Sequence, residues 1–143
     1  MTSHLDWQAI RSGALTCLLF GVSFSLLGRW AADDDNSGLA TLLILLALAG
    51  FVVGSGVAAW TQRTGLPLVH GLITASGTYL VTQTVLITFR LLTGRDVRWY
   101  AALFNITPVL FAGLLGGLLG MVLQRRGITP GQRGTGITKR SDS

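Results

Sequence analysis

The chain has 143 residues, of which 50% are hydrophobic and only 12% charged, and its mean hydropathy is +0.57. Soluble domains carry about a quarter of charged residues, so this composition cannot keep a globular surface wet. No Asp, Glu, Lys or Arg falls in 12–28, 39–62, 64–89 or 99–124, and each stretch reaches the roughly 17–25 residues that a helix needs to cross a ~30 Å hydrocarbon layer. The fold class predicted is therefore all-α, a transmembrane four-helix bundle. Almost nothing is left over for a soluble catalytic domain.

The formal charge of +5 and pI of about 10.7 do not imply nucleic acid. The basic residues are scattered over span ends and the tail, with no basic helix or aromatic-interleaved patch, a pattern of topology and anionic lipid headgroups.

In chain order, residues 1–11 form a short polar segment. In it Asp6 suits a helix N-cap and Trp7 the headgroup level. A first span over about 12–28 follows; poor cleavage spacing after it marks an uncleaved helix rather than a signal peptide. Asp33-Asp34-Asp35 and Asn36-Ser37-Gly38 make a polar loop. The second span covers about 39–60 and the third about 67–90, opened by Pro67 in its first turn. A short polar loop leads to Trp99-Tyr100 and a fourth span over about 99–124, so that 12–126 is the membrane domain. Residues 127–143 form a Gly-, Thr- and Ser-rich basic tail, expected to be flexible and to attract anionic headgroups.

Four spans place the N-terminus, middle loop and C-terminus on one side, with seven Lys and Arg against four opposite. Without the tail beyond Arg126 the count is four against four. The expected orientation has both termini cytoplasmic. Shifted by 63 residues, Ala49-Gly50, Gly54, Arg63 and Pro67 fall on Ala112-Gly113, Gly117, Arg126 and Pro130. The echo suggests two parallel-repeat helical hairpins related by an axis along the membrane normal, or a mere recurrence of small residues and helix ends.

Small residues recur every four positions: Gly13, Cys17, Gly21 and Ser25, then Gly50 and Gly54, Gly71 and Ala75, and the interleaved pairs Gly113 with Gly117 and Gly116 with Gly120. Such ladders let helix backbones approach closely in lipid, where no hydrophobic drive holds helices together. Most of these faces are expected inside the bundle. The fourth span's is a candidate surface for a homo-oligomer or an unidentified membrane partner.

Polar groups at membrane depth come next. Ser76, Tyr79, Gln83 and Arg90 share one helical face, and Asn105, Thr107 and Pro108 interrupt the fourth span. Gln83 and Asn105 are placed for an interhelical hydrogen bond, read either as structural glue or, with Tyr79, as the lining of a polar cavity open to the outer side. His70 is the one imidazole in an uncharged span, a candidate pH-sensitive group or an interfacial side chain touching headgroups or a carbonyl.

Absences narrow the function further. The chain contains no Glu and no Asp within a span, which removes the buried carboxylate that a proton-coupled exporter requires. Gly54-Ser55-Gly56 only faintly resembles an intramembrane serine protease, whose further spans and oxyanion groups are missing. Cys17 is the single cysteine and can form no intrachain disulfide. The Asn105-Ile106-Thr107 sequon lies in a span and has no meaning for glycosylation. No catalytic, metal-binding or cofactor-binding motif is present.

Asp6-Trp7 ahead of Gly13, the Asp33-Asp34-Asp35 loop, Gly50 with Gly54, His70-Gly71, Asp96-Val97 before Trp99, Asn105 and Gly116-Gly117 form one pattern over about residues 5–126. It resembles small, uncharacterised four-span integral membrane proteins of high-GC Gram-positive bacteria. The resemblance implies a bacterial plasma membrane and this fold, but no reaction. Two functions stay open: a non-enzymatic structural or accessory membrane component, and a small transport or channel component with an outward cavity near Gln83 and Asn105.

Overall fold

The computed structural model describes residues 5–97 and 99–128. The tail from 129 onward, with Pro130 of the sequence echo, lies outside the described residues.

Four helices are long and apolar enough to cross a membrane, and the fold is an all-α four-helix bundle. Helix α1 spans Trp7–Asp33, α2 Ser37–Thr61 and α3 Pro67–Leu92. The last span is made of a short α4, Trp99–Phe104, followed by α5, Ile106–Arg125. The loops at 34–36 and 93–97 define one end of the bundle, here the acidic-loop end; Gln62 and Gln124 mark the other, the glutamine end.

Two of these boundaries differ from the sequence reading. Helix α1 has 27 residues rather than the expected stretch of 12–28, about 40 Å at 1.5 Å per residue. It starts where the Asp6 carboxylate accepts from the Ala9 N–H at 3.1 Å, and it carries Arg11 and Arg29 within it because both lie near its ends. The charges limit the apolar stretch; they do not end the helix. The fourth span is interrupted at Asn105 rather than running unbroken over 99–124. Pro108 has no N–H for the Phe104 carbonyl, and its ring crowds that carbonyl, so the two helical pieces meet at a turn.

The helix ends follow local chemistry. Asn36 caps α2 by accepting from the Leu39 N–H at 3.2 Å. Helix α3 ends where Arg95 N donates to the Arg90 carbonyl at 2.9 Å around Gly94, whose φ is +66°. Hydroxyls along the spans turn back onto their own helices, as Ser76 does to the Leu72 carbonyl at 2.7 Å and Thr88 to the Thr84 carbonyl at 2.8 Å. That satisfies these donors without water.

Around the bundle the order is α1, α2, α5, α3, with α2 also touching α3 across the middle. Helices α2 and α5 run in the same direction side by side. Gly50 and Gly54 of α2 face α1, where they meet Gly21 and Gly13; Gly113 and Gly117 of α5 face α3, where they meet Ala75 and Leu68. The glycine pairs matched by the 63-residue shift thus face their own hairpin partners. Leu, Val and Phe side chains such as Leu45, Val81 and Phe111 point outward, giving an apolar belt compatible with lipid.

Helix α1 contains a π-helical segment, Cys17–Val22. Before it, α1 packs on both α2 and α3; beyond it, Ser23–Asp33 leans on α2 alone and parts from α3. This divergence opens the site described next.

Candidate functional site

The half of the bundle toward the glutamine end is closed by small residues. A methyl group added at Gly13 would lie 2.5 Å from the Gly54 carbonyl oxygen, and one at Gly71 would lie 2.8 Å from the Gly117 Cα. Gly21 stands 2.9 Å from the Phe51 ring by the same measure, and Gly120 stands 2.5 Å from the Ala59 Cβ. Gly116 would collide with Ser55 Oγ and the Val52 carbonyl. The two interleaved pairs of α5 divide the work: Gly116 and Gly120 face α2, while Gly113 and Gly117 face α3. All four are buried. The small-residue face expected as a candidate self-association surface is therefore consumed inside the bundle, because α5 sits between two neighbours.

Ser55 lies at the centre of this packed half, fully buried, with its hydroxyl 2.7 Å from the Phe51 carbonyl and 3.2 Å from the Ala112 carbonyl of α5. Cys17 is buried against the Phe51 carbonyl. Two neighbouring hydroxyls on α3, Thr74 Oγ1 and Thr78 Oγ1, are buried without a hydrogen-bond partner.

Toward the acidic-loop end the packing gives way to two cavities that share walls. The inner chamber, about 200 Å³, lies between α1, α2, α3 and the start of α5. Its floor is Phe51, its sides include Val22, Ile44, Leu86 and Val109, and its polar groups are Ser25, Arg29, Tyr79, Thr82, Gln83 and Asn105. The vestibule above it, about 540 Å³, carries Arg29, Arg90 and Arg95 against Asp33 and Asp96. Arg29, Gln83, Leu86 and Asn105 line both spaces.

Tyr79, Gln83 and Asn105, singled out from the sequence, thus come together at one chamber. The hydrogen bond expected between Gln83 and Asn105 is replaced by another. Tyr79 Oη donates to the Ala102 carbonyl at 2.6 Å, near the turn that divides α4 from α5. Gln83 and Arg29 both stand near the tyrosine oxygen. The Asn105 side chain makes no capping hydrogen bond to α5. Ser25 and Thr82 donate to the Gly21 and Thr78 carbonyls at 2.8 Å each, so toward the chamber they offer only lone pairs. Ser76, placed on the same face by its spacing, does not line either cavity.

Arg29 is the residue that sequence reasoning missed. It lies just outside the apolar run of 12–28, and the helix carries it into the chamber wall. The available signal was its register, eight residues after Gly21 on the ladder face. Gln62 and Gln124 were missed as well. Gln62 is 4% exposed; its Oε1 accepts from the Thr64 N–H at 2.8 Å and the Leu66 N–H at 3.3 Å, and its Nε2 donates to Gln124 Oε1 at 3.2 Å. Gln124 Nε2 in turn donates to the Trp60 and Gln62 carbonyls, each at 3.0 Å. Together the two amides tie the end of α2, the 62–66 loop and the end of α5.

His70 is fully buried at the same end and spans two helices. Nδ1 lies 2.8 Å from the Leu66 carbonyl and Nε2 accepts from the Asp6 N–H at 2.9 Å. This pairing requires the neutral ring with its proton on Nδ1, since a proton on Nε2 would set two donors face to face. The carbonyl contact expected of His70 is present, and with the Asp6 N–H it links the start of α1 to α3. Replacing it, His70→Leu, is expected to orphan the Asp6 N–H and lower stability by about 1–3 kcal/mol, read from thermal unfolding of the purified protein in detergent.

Among the described residues no three His, Cys, Asp or Glu side chains converge. No family model, curated protein or solved structure matches the chain.

Proposed function

We propose that the chain is a non-enzymatic, multi-pass component of a bacterial plasma membrane that binds a small ligand from the outer side, as the binding element of a small transport system. The adjoining vestibule and chamber, with their shared polar walls, support this reading more than any other observation. A purely structural role would favour the dry glycine packing of the other half along the whole bundle. Instead the chain keeps Arg29, Gln83 and Asn105 around an open space, and polar groups at membrane depth are costly enough to mark ligand paths. The positive-inside count puts the acidic-loop end outside. The resemblance to uncharacterised four-span proteins of high-GC Gram-positive bacteria fits this location and adds no reaction.

Below Phe51 the helices meet at Gly54, Cys17 and Gly13, so the chamber is a pocket with a floor. Passage across the membrane would require those helices to part. The reading is tested in intact cells with a Cys17→Ala background. A Gln83→Cys variant is expected to react with a membrane-impermeant maleimide added outside, while Ser55→Cys, in the packed half, stays unlabelled. Equal inertness of both cysteines would overturn the outward cavity, and labelling only from the cytoplasmic side would overturn the orientation.

A further inference from the structure

The chamber is polar at one end and apolar at the other, and this asymmetry bears on what fits it. Arg29 brings its guanidinium to the wall shared by vestibule and chamber, which the Gln83 and Asn105 amides also line. Among the described residues no ion pair within 4.0 Å neutralises it. The vestibule around it has three guanidinium groups against two carboxylates, an excess of one positive charge. The far end, by contrast, is walled by Val22, Ile44, Phe51 and Val109, with no charge. The space also lies where α1 and α3 have parted. Leu26, on this side, is 45% exposed while it lines the chamber, so an apolar chain can enter from the membrane without first crossing water.

We infer that the chamber binds an amphiphile with an anionic head: its carboxylate or similar anion seats on Arg29 with Gln83 and Asn105, and an apolar chain fills the space down to Phe51. The inference rests on the outward-cavity reading above. Three physical points carry it. An uncompensated guanidinium in a partly desolvated wall gains most from a planar anion, which it can hold with two parallel hydrogen bonds. The amides of Gln83 and Asn105 supply neutral N–H donors to the same head. The chamber volume of about 200 Å³ exceeds the ~150 Å³ at which a dry apolar cavity already admits benzene, so a short alkyl chain fits and a long one must extend into lipid through the gap between α1 and α3. A cationic head meets repulsion at Arg29, and a neutral polar head leaves that charge unpaired.

The test uses the full chain in phosphatidylcholine nanodiscs and octanoate bearing a diazirine on its chain. Photolysis is expected to attach the probe to the chamber walls, around Val22–Leu26, Phe51 and Leu86. Octanoate should compete, while octanol and octyltrimethylammonium should not. Arg29→Gln is expected to reduce labelling about tenfold, the loss of one charge-assisted contact, with Arg29→Lys keeping most of it. An unchanged thermal-unfolding midpoint of Arg29→Gln in the same nanodiscs guards against misfolding. Exchanging the nanodisc lipid for phosphatidylglycerol separates the sources of the head. Suppression of labelling identifies the anion of a bilayer lipid, and unchanged labelling identifies a free carboxylate; each upholds an anionic head. Octanoate and octanol labelling the chamber equally, or Arg29→Gln labelling like the wild type, overturns the inference. If Gln83→Cys still reacts from outside in that case, the cavity reading stands and only the ligand class falls.

Discussion

Gly116→Ala is expected to lower the stability of the bundle by about 3 kcal/mol, at the upper end of what overpacking costs in a well-filled interior. The added methyl would run into Ser55 Oγ, the Val52 carbonyl and the Gly56 N, and two of these three are backbone atoms. A flexible side chain could swing away; the α2 backbone can do so only by retreating from α5. Such a retreat also disturbs the Ser55 hydroxyl, which is shared among carbonyls of both helices. Gly77→Ala is the matched comparison, because nothing lies within 4 Å of a methyl added there. That variant should be neutral or more stable by up to about 1 kcal/mol, through the reduced backbone freedom of the unfolded chain. Equilibrium unfolding in mixed micelles distinguishes the two; similar stabilities would mean that the α2–α5 contact is looser than described.

The second large effect is expected at Gln62. Truncation to Ala removes the acceptor shared by the Thr64 and Leu66 N–H groups and the donor to Gln124. With only 4% of the residue exposed, these partners cannot all turn to water, and a loss of about 3 kcal/mol follows from leaving them unpaired. Gln62→Glu keeps an oxygen for the loop N–H groups but buries a carboxylate that faces Gln124 Oε1, so it should cost at least as much in global stability. Hydrogen exchange of the Thr64 and Leu66 amides gives a local readout. Protection lost in Gln62→Ala and kept in Gln62→Glu identifies the carbonyl oxygen as the organiser of the loop; loss in both would place the effect at the contact with Gln124.

The spans, the capping roles of Asp6 and Pro67, and the grouping of Tyr79, Gln83 and Asn105 were legible because each depends on a local pattern. Apolar run length, side-chain capping chemistry and helical spacing are all written within one segment. What was not legible depends on two segments at once. Which face of α5 meets which neighbour is decided by the order of helices around the bundle, and a four-residue glycine spacing looks the same toward α2, toward α3 or toward a second copy. Arg29 falls outside the apolar run of 12–28 because charge marks the ends of such runs, although a long helix can carry an arginine near its end. The Gln62–Gln124 pair was invisible for another reason: glutamine at a helix end is ordinary, and only the tertiary fold brings these two together. Their separation, one residue short of the 63-residue echo, was the sole trace.

The π-helical segment in α1 gives the four-residue ladder a further meaning. In a regular helix, steps of four residues advance about 400°, so a row of small residues so spaced slides about 40° around the cylinder at each step. Gly13, Cys17 and Gly21 nevertheless all meet α2, because rings closed from residue i to i+5 turn more slowly and cancel the slide. Between residues 17 and 22 the winding takes more residues per turn than on either side, for little more than one turn. The direction taken by the second half of α1, and with it the width of the opening beside Arg29, is therefore encoded by a number of residues rather than by the identity of any one. Shortening that segment by a single residue would restore even threading, turn Ser25 and Arg29 about 100° away from the space they border, and erase the pocket while every side chain that lines it remained in the chain.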